Sequence, residues 1–524
     1  MTFAPRRAMR LSRAWWRPTS QWFLPALLAA AVTAHCAILA GKRLVWADEL
    51  LSWYPVSGSF GAMLGATTDT INSAPPLYFI LAWPWTHLLG NSPIALRLFS
   101  GLATVAAILL MFAVLRRVYG VLPSILALTV TAVDPNLLYQ SEQARFHTFF
   151  VAEVAIAILI YQKILARRSP SFRLLALNTA IHAGMMLTSY VALFYSTAIL
   201  VGVLLYSLIR RRSPVRPCLS IVLGWVVLLP WIPILLTHIE MSKLGWIPVP
   251  TLAILRTYFE GYITSDFRFF AKIVVAFAAV AAMTTLFWGG RWRLEGFRRR
   301  EISLLVLLPA LLGIPFAIYV MSLRSGGNSI FHERYMLASI LGWTILLAHV
   351  AHRALLMRHR RDLRDLTLAL TAAQIIVTLA FVGDNVRRMV KTARHAAAEA
   401  VPPDVVRDLP GLEPIVIEHV HEFLTWHFYS PQRSRYLFVL DPEVGSKEMA
   451  GGPLNHAIMG ALKRRFPSQF AEVVPSDEFL RTASSFYVRH SPGYQWSPVR
   501  LQQNPAFEID TLPDNLLHVR RKSQ

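Results

Sequence analysis

Asp48 and Glu49 stand side by side in the stretch WADELLSWYP, directly after the first long apolar run of the chain. A carboxylate at a membrane mouth can take a proton from a hydroxyl within hydrogen-bond reach. In a helix, residues i and i+1 point about 100° apart, so only one of the pair can aim into a given cavity while the other holds structure. The plainer reading is a pair of solvated acids capping the next helix. Further polar residues between apolar runs are Arg97, Glu142, Arg145, His332, Glu333 and Arg334. Glu142 and Arg145, three apart in SEQAR, could share a helix face as part of a site, or form a local ion pair worth about 0.5 kcal/mol or less if exposed. Asp48 with Glu142 could hold a divalent cation through oxygen ligands, although two carboxylates alone do not require one. The run His332-Glu333-Arg334-Tyr335 follows the Gly-rich turn Ser325-Gly326-Gly327-Asn328 and could meet an anionic group or simply snorkel at an interface.

What must position these residues is a bilayer protein. The chain is 524 residues long, 55% hydrophobic and 16% charged, with a mean hydropathy of +0.44, which excludes an ordinary soluble protein. Its net charge of +22 comes from Lys and Arg clustered between apolar runs. That is the positive-inside pattern of a membrane protein, and no nucleic-acid partner is expected. Cys36 and Cys218 are two cysteines within or beside apolar runs and read as packing residues. The basic segment 1–20 precedes an apolar stretch long enough to span, so an uncleaved first helix with a cytoplasmic N-terminus is expected.

Apolar runs and basic clusters thread together as eleven helices, at about 21–41, 94–115, 121–133, 146–162, 174–187, 190–208, 217–237, 271–288, 302–322, 335–350 and 366–382. The run 76–90 is short and broken by Pro84, so it is expected along the outer surface. The predicted organisation is a basic N-terminus (1–20), a transmembrane domain (21–382) whose first outer loop is 42–93, and a small extracytoplasmic α/β domain (383–524). Runs such as PIVIEHV, RYLFVLD and SFYVRH in the tail read as strands. His419, His421 and His427 lie there among Glu418 and Glu422 without metal-site order, and surface positions are expected for them. On this threading the candidate residues all face outward, whereas a coupled transporter would bury ionisable groups in mid-helix; Glu153 and His182 are the main examples here.

The segments WADELLS, APPLYF and GNSPIALRLFSGLA resemble the opening of the membrane glycosyltransferases of the protein O-mannosyltransferase and lipid A aminoarabinose transferase type, which have the C-type glycosyltransferase fold; QARFH and ERYML are looser matches. The resemblance covers roughly residues 20–350. It departs from the pattern at Ala74, where a His or Asn often precedes the two prolines, and in the tail. It implies a mostly α-helical enzyme that takes a sugar from a polyprenyl-phosphate donor on the outer face of the membrane, here a bacterial inner membrane. The acceptor would be a protein, lipid or polysaccharide hydroxyl, and the remaining partners membrane lipids. Carried onto this sequence, Asp48 and Glu49 become the catalytic candidates, with Asp48 the general base of an inverting transfer. Arg97, Arg145 and Arg334 become phosphate ligands, with Glu142, His332, Glu333 and Tyr78 in support. The rival from another class is a flippase or transporter for the same lipid, which would move the lipid-linked sugar without cleaving it; a membrane scaffold is a more distant third.

Overall fold

The computed structural model describes residues 20–242, 247–263, 299–324, 329–356 and 409–522 apart from isolated positions and the break at 446–451, with scattered positions between 383 and 394. Among the described residues, seven helices are long and apolar enough to cross a membrane, or eight if the bent pair Val121–Ala132 and Pro135–Ser141 is one span. Expected helices at about 271–288 and 366–382 and the Gly-rich turn 325–328 lie outside the described residues.

Local chemistry fixes the helix ends. The longest helix, Pro93–Tyr119, starts with Ser92 accepting the Ala95 N–H and with Pro at its first position, and it stops at Gly120, whose φ of 89° suits glycine. The bent pair turns by 66° at Asp134, where the Asp134 carboxylate caps Leu137 N–H at 2.9 Å and Pro135 opens the second piece. Leu77–Leu88 has only 12 residues. It is too short to span, and it packs on the segment that carries Asp48, Trp83 Nε1 donating to Gly58 O at 2.9 Å.

The tail forms one six-stranded sheet of β1 (Ile415–Ile417), β2 (Tyr436–Leu440), β3 (Val473–Pro475), β4 (Ser485–Arg489), β5 (Phe507–Leu512) and β6 (Leu516–Arg521), in the order β3-β2-β1-β4-β6-β5. The first four strands in that order are parallel, and β6 and β5 are antiparallel. One sheet face, with helices Val420–Tyr429 and Gly452–Arg465, shares its core with Leu50, Leu51 and Tyr54 of the helix Ala47–Ser57 that follows the first span. Trp53 and Phe428 meet edge to face at 5.2 Å, Val45 N–H donates to Tyr429 Oη at 2.6 Å, and Arg465 Nε donates to Asp69 at 2.6 Å. Burial of this shared apolar surface fixes the tail domain on the loop that carries Asp48.

Candidate active site

Helix Ala47–Ser57 carries both acids in its first turn, and adjacency sends them to different partners. Glu49 turns inward and is 1% exposed. Its Oε1 accepts from Arg97 Nε at 2.7 Å and from Ala144 N–H at 2.8 Å; its Oε2 accepts from Arg97 Nη2 at 2.6 Å and from Trp46 N–H at 3.3 Å. Arg97 spends its other donors on backbone: Nη1 on Ala40 O (2.7 Å) and Arg43 O (2.8 Å), and Nη2 on Leu44 O (2.8 Å). A guanidinium has five N–H donors, and all are taken. The expectation that Arg97 meets a phosphate is therefore corrected: it is buried and ties the end of the first helix to the helix that bears the acids.

Asp48 turns the other way and keeps a side-chain exposure of 17%. Its Oδ2 accepts from Arg334 Nη1 at 2.8 Å. Arg145 reaches the same helix turn, Nη1 donating to Asp48 O at 2.7 Å, while Nη2 lies 3.9 Å from Asp48 Oδ2 in a charge contact only. Burial opposes ionisation of Asp48, but the Arg145 and Arg334 charges outweigh it and hold the carboxyl below its ordinary range. Three elements distant in sequence thus bring one carboxylate and two guanidinium groups to one half-open point.

The remaining candidates are distributed around this point. Glu142 does not pair with Arg145, because residues 142–146 form turns instead of a helix face. It accepts from His35 Nε2 at 2.6 Å and is ion-paired with Arg43, so it is not joined to Asp48 as a second carboxylate. Among the described residues no group of three or more His, Cys, Asp or Glu side chains is placed to hold a metal ion. Tyr78 is fully buried. Its hydroxyl meets Ser100 Oγ at 3.1 Å, and Ser100 donates to Arg145 O at 2.8 Å, so Tyr78 reaches the site only through the backbone of Arg145. Glu333 is exposed at the start of the Glu333–Met336 helix and hydrogen-bonds Asn136.

The tail histidines are not all the surface residues that the sequence suggests. His427 is 3% exposed and lies between Tyr54 Oη and Glu472, at 3.3 Å from each. His421 is exposed yet near enough to Asp48, Arg145 and Arg334 to feel all three charges. Sequence order gives no sign of this, because the residues come together only through docking of the tail domain.

His332 and His419 act as helix caps. Each accepts a backbone N–H through Nδ1, from Arg334 and Glu422 respectively, both at 3.4 Å, which requires an unprotonated imidazole. Burial, then the Arg334 charge, holds His332 at about 4 against an opposing pull from Asp48, and burial, then His421, holds His419 at about 4. Between the ordinary value of 6.5 and about 4, the folded state binds fewer protons than the unfolded chain. This contribution is complete above pH 6.5 and is lost as pH falls through that window. We expect the thermal midpoint of the purified protein to fall between pH 6.5 and pH 4, and His419→Asn, a cap that does not titrate, to flatten the fall. An identical acid response in His419→Asn would contradict the cap assignment.

Residues 73–236 match the sequence profile described as dolichyl-phosphate-mannose-protein mannosyltransferase. No curated protein matches the chain. Among solved structures, ArnT from Cupriavidus metallidurans bound to undecaprenyl phosphate superposes with a TM-score of 0.53 at 12% identity, covering 94% of this chain and 97% of that one. Its apo state gives 0.53 at 12% identity, covering 96% and 98%. The match runs the length of both chains, through the helices and the tail domain alike. From the helical bundle, the capping sheet domain and these likenesses, the chain is a membrane protein of the C-type glycosyltransferase fold, similar to the protein O-mannosyltransferases and to ArnT.

Proposed function

We propose that this protein transfers a hexosyl or pentosyl group from a polyprenyl-phosphate donor to an acceptor hydroxyl, on the extracytoplasmic face of a bacterial inner membrane, with inversion at the anomeric carbon. The observation that carries the reading is the Asp48 carboxylate held by Arg334 and flanked by Arg145 where the first outer loop meets the helices. The profile match and the undecaprenyl phosphate bound in the similar ArnT structure support this donor class.

The chemistry follows from charge. The acceptor oxygen forms its bond to the anomeric carbon as the bond from that carbon to the phosphate oxygen breaks. Asp48 takes the acceptor proton, and the leaving polyprenyl phosphate keeps the electron pair. That phosphate has a low pKa, so it needs charge stabilisation more than protonation, and Arg145 and Arg334 supply it. The resting cluster also disarms the base, since a carboxylate held by two guanidinium groups is a poor proton acceptor. Donor phosphate that takes over Arg145 and Arg334 weakens this hold and raises the basicity of Asp48, so the base is armed when the donor is bound. Glu49 and Arg97 position the Asp48 turn without touching substrate.

Arg334→Ala is expected to lower kcat/KM for the donor by ~10²–10³, the range for losing one preorganised charge at a developing anion. Arg334→Lys should recover part of this, keeping the charge but losing the planar fork. Measuring polyprenyl-phosphate release against donor concentration checks it. Wild-type donor kinetics in Arg334→Ala would remove Arg334 from the phosphate site.

A further inference from the structure

At the end of the helical bundle away from Asp48, arginines surround a cavity. Helix His147–Leu165 begins just after Arg145 and runs about 28 Å, at ~1.5 Å per residue, before the chain reaches Arg168. There Arg168, the run Arg210-Arg211-Arg212 and Arg299 line a cavity of about 530 Å³. Three elements meet at it: the turn after that helix, the end of helix Ala192–Arg210 and the start of helix Arg299–Arg324.

Arginines between spans orient a membrane protein, and the exposed Arg216 nearby in sequence needs no other account. The cavity carries more than orienting charge. Arg211 holds φ 47° and ψ 52°, the left-handed region in which a helix ordinarily ends on glycine. The strained turn brings three successive arginines to one cavity, and strain kept at a cavity points to a use. Arg212 is anchored, Nη1 donating to Leu165 O at 3.1 Å and to Arg167 O at 3.3 Å. Among the described residues, Arg168, Arg210, Arg211 and Arg299 have no side-chain hydrogen bond or carboxylate partner. Four like charges around one space repel one another until an anion enters it.

We propose that this arginine cavity binds the phosphate headgroup of an anionic phospholipid of the cytoplasmic leaflet. Guanidinium groups suit phosphate oxygens, which they can meet through paired N–H donors, and basic pockets between spans on that side of a membrane take anionic headgroups. The apolar surroundings favour a lipid over a free phosphate. Ile209 lines the cavity beside the arginines. Val201, Leu204, Leu205 and Leu208 are exposed at positions i, i+3, i+4 and i+7 of the same helix, an apolar stripe that ends at the cavity. A phospholipid with its phosphate on the arginines lays its acyl chains along that stripe, whereas a soluble phosphate would leave the stripe unused.

The test uses the full-length protein in neutral detergent micelles, with phosphatidylglycerol, cardiolipin, phosphatidylcholine and inorganic pyrophosphate as probes. Lipid retained through gel filtration and the thermal midpoint are the readouts, and neither depends on sugar transfer. Both anionic lipids should be retained and raise the midpoint, and phosphatidylcholine should do neither. Arg211→Gly should lower the affinity for anionic lipid about fivefold, the share of one Arg at a membrane surface. Its lipid-free midpoint should stay at or above that of wild type, because glycine suits the left-handed turn, so a lost site is told apart from a lost fold. Arg216→Gln, which removes an exposed cation outside the cavity, should leave the affinity unchanged. An equal loss in Arg216→Gln would reduce the attraction to diffuse surface charge and overturn the proposal, as would wild-type affinity in Arg211→Gly. Pyrophosphate that raises the midpoint while neither anionic lipid is retained would assign the cavity to a soluble anion and overturn the lipid assignment.

Discussion

Replacing Glu49 by Ala is expected to destabilise the protein by about 3–5 kcal/mol and to remove most folded material from the membrane. The pair it breaks is buried on both sides, with side-chain exposures of 3% for Arg97 and 1% for Glu49, and it leaves the Arg97 charge without a counter-ion. The three carbonyls of Ala40, Arg43 and Leu44 would still be held by Arg97. Arg97→Leu therefore strips more contacts than Glu49→Ala, and the double variant should remain less stable than wild type although it carries no uncompensated charge. Thermal inactivation of the purified variants measures this. If Arg97 were a phosphate ligand, Arg97→Leu would fold normally and lose donor affinity, and that result would contradict the clamp.

Asp48→Asn is expected to fold and to lose about 10²–10⁴-fold in transfer rate, the range for a positioned general base. Asn retains a side-chain oxygen that can accept from Arg334 but cannot take the acceptor proton. The pH dependence carries the same signature. Asp48 is held below the ordinary carboxylate value by Arg145 and Arg334, so in the free enzyme its ionised form persists below that value and is lost only as pH falls through the depressed pKa. Removing one of the two cations relieves the depression. Arg334→Ala should accordingly move the acid limb of kcat/KM to higher pH as well as lower its plateau, and an unmoved acid limb would mean that Asp48 is not the titrating base.

Much of the scaffold was legible in the chain because bilayer physics is one-dimensional. Runs near 20 apolar residues and the Arg clusters between them mark helices such as Phe23–Ala40, Pro93–Tyr119, His147–Leu165 and Arg299–Arg324. Pro84 and the short run around it marked a helix that packs beside the loop and is too short to span. That the acids at 48 and 49 point to different partners was also legible, since adjacent helical residues diverge. What sequence could not supply was direction and distant company. Arg97 has the residue type of a phosphate ligand, yet its five donors face inward. Glu142 and Arg145 have ion-pair spacing, but the backbone between them turns, so each finds a partner from elsewhere in the chain: Arg43 and His35 for one, Asp48 for the other. His421 lies in a different domain from Asp48, and only the shared core of Leu50, Leu51, Tyr54, Phe423 and Leu424 brings it there.

Asp48 as the base of a transferase that cleaves polyprenyl-phosphate sugars is the core of the proposed function. Its most direct test is to incubate purified wild type and Asp48→Asn with a panel of polyprenyl-phosphate sugars and acceptors and to follow free polyprenyl phosphate. Wild type is expected to release polyprenyl phosphate from at least one donor, and a folded Asp48→Asn protein to release it at least about a hundredfold more slowly. Equal release from the two proteins would take Asp48 out of the chemistry, and binding of the donors without cleavage by wild type would identify a carrier of lipid-linked sugar instead of an enzyme.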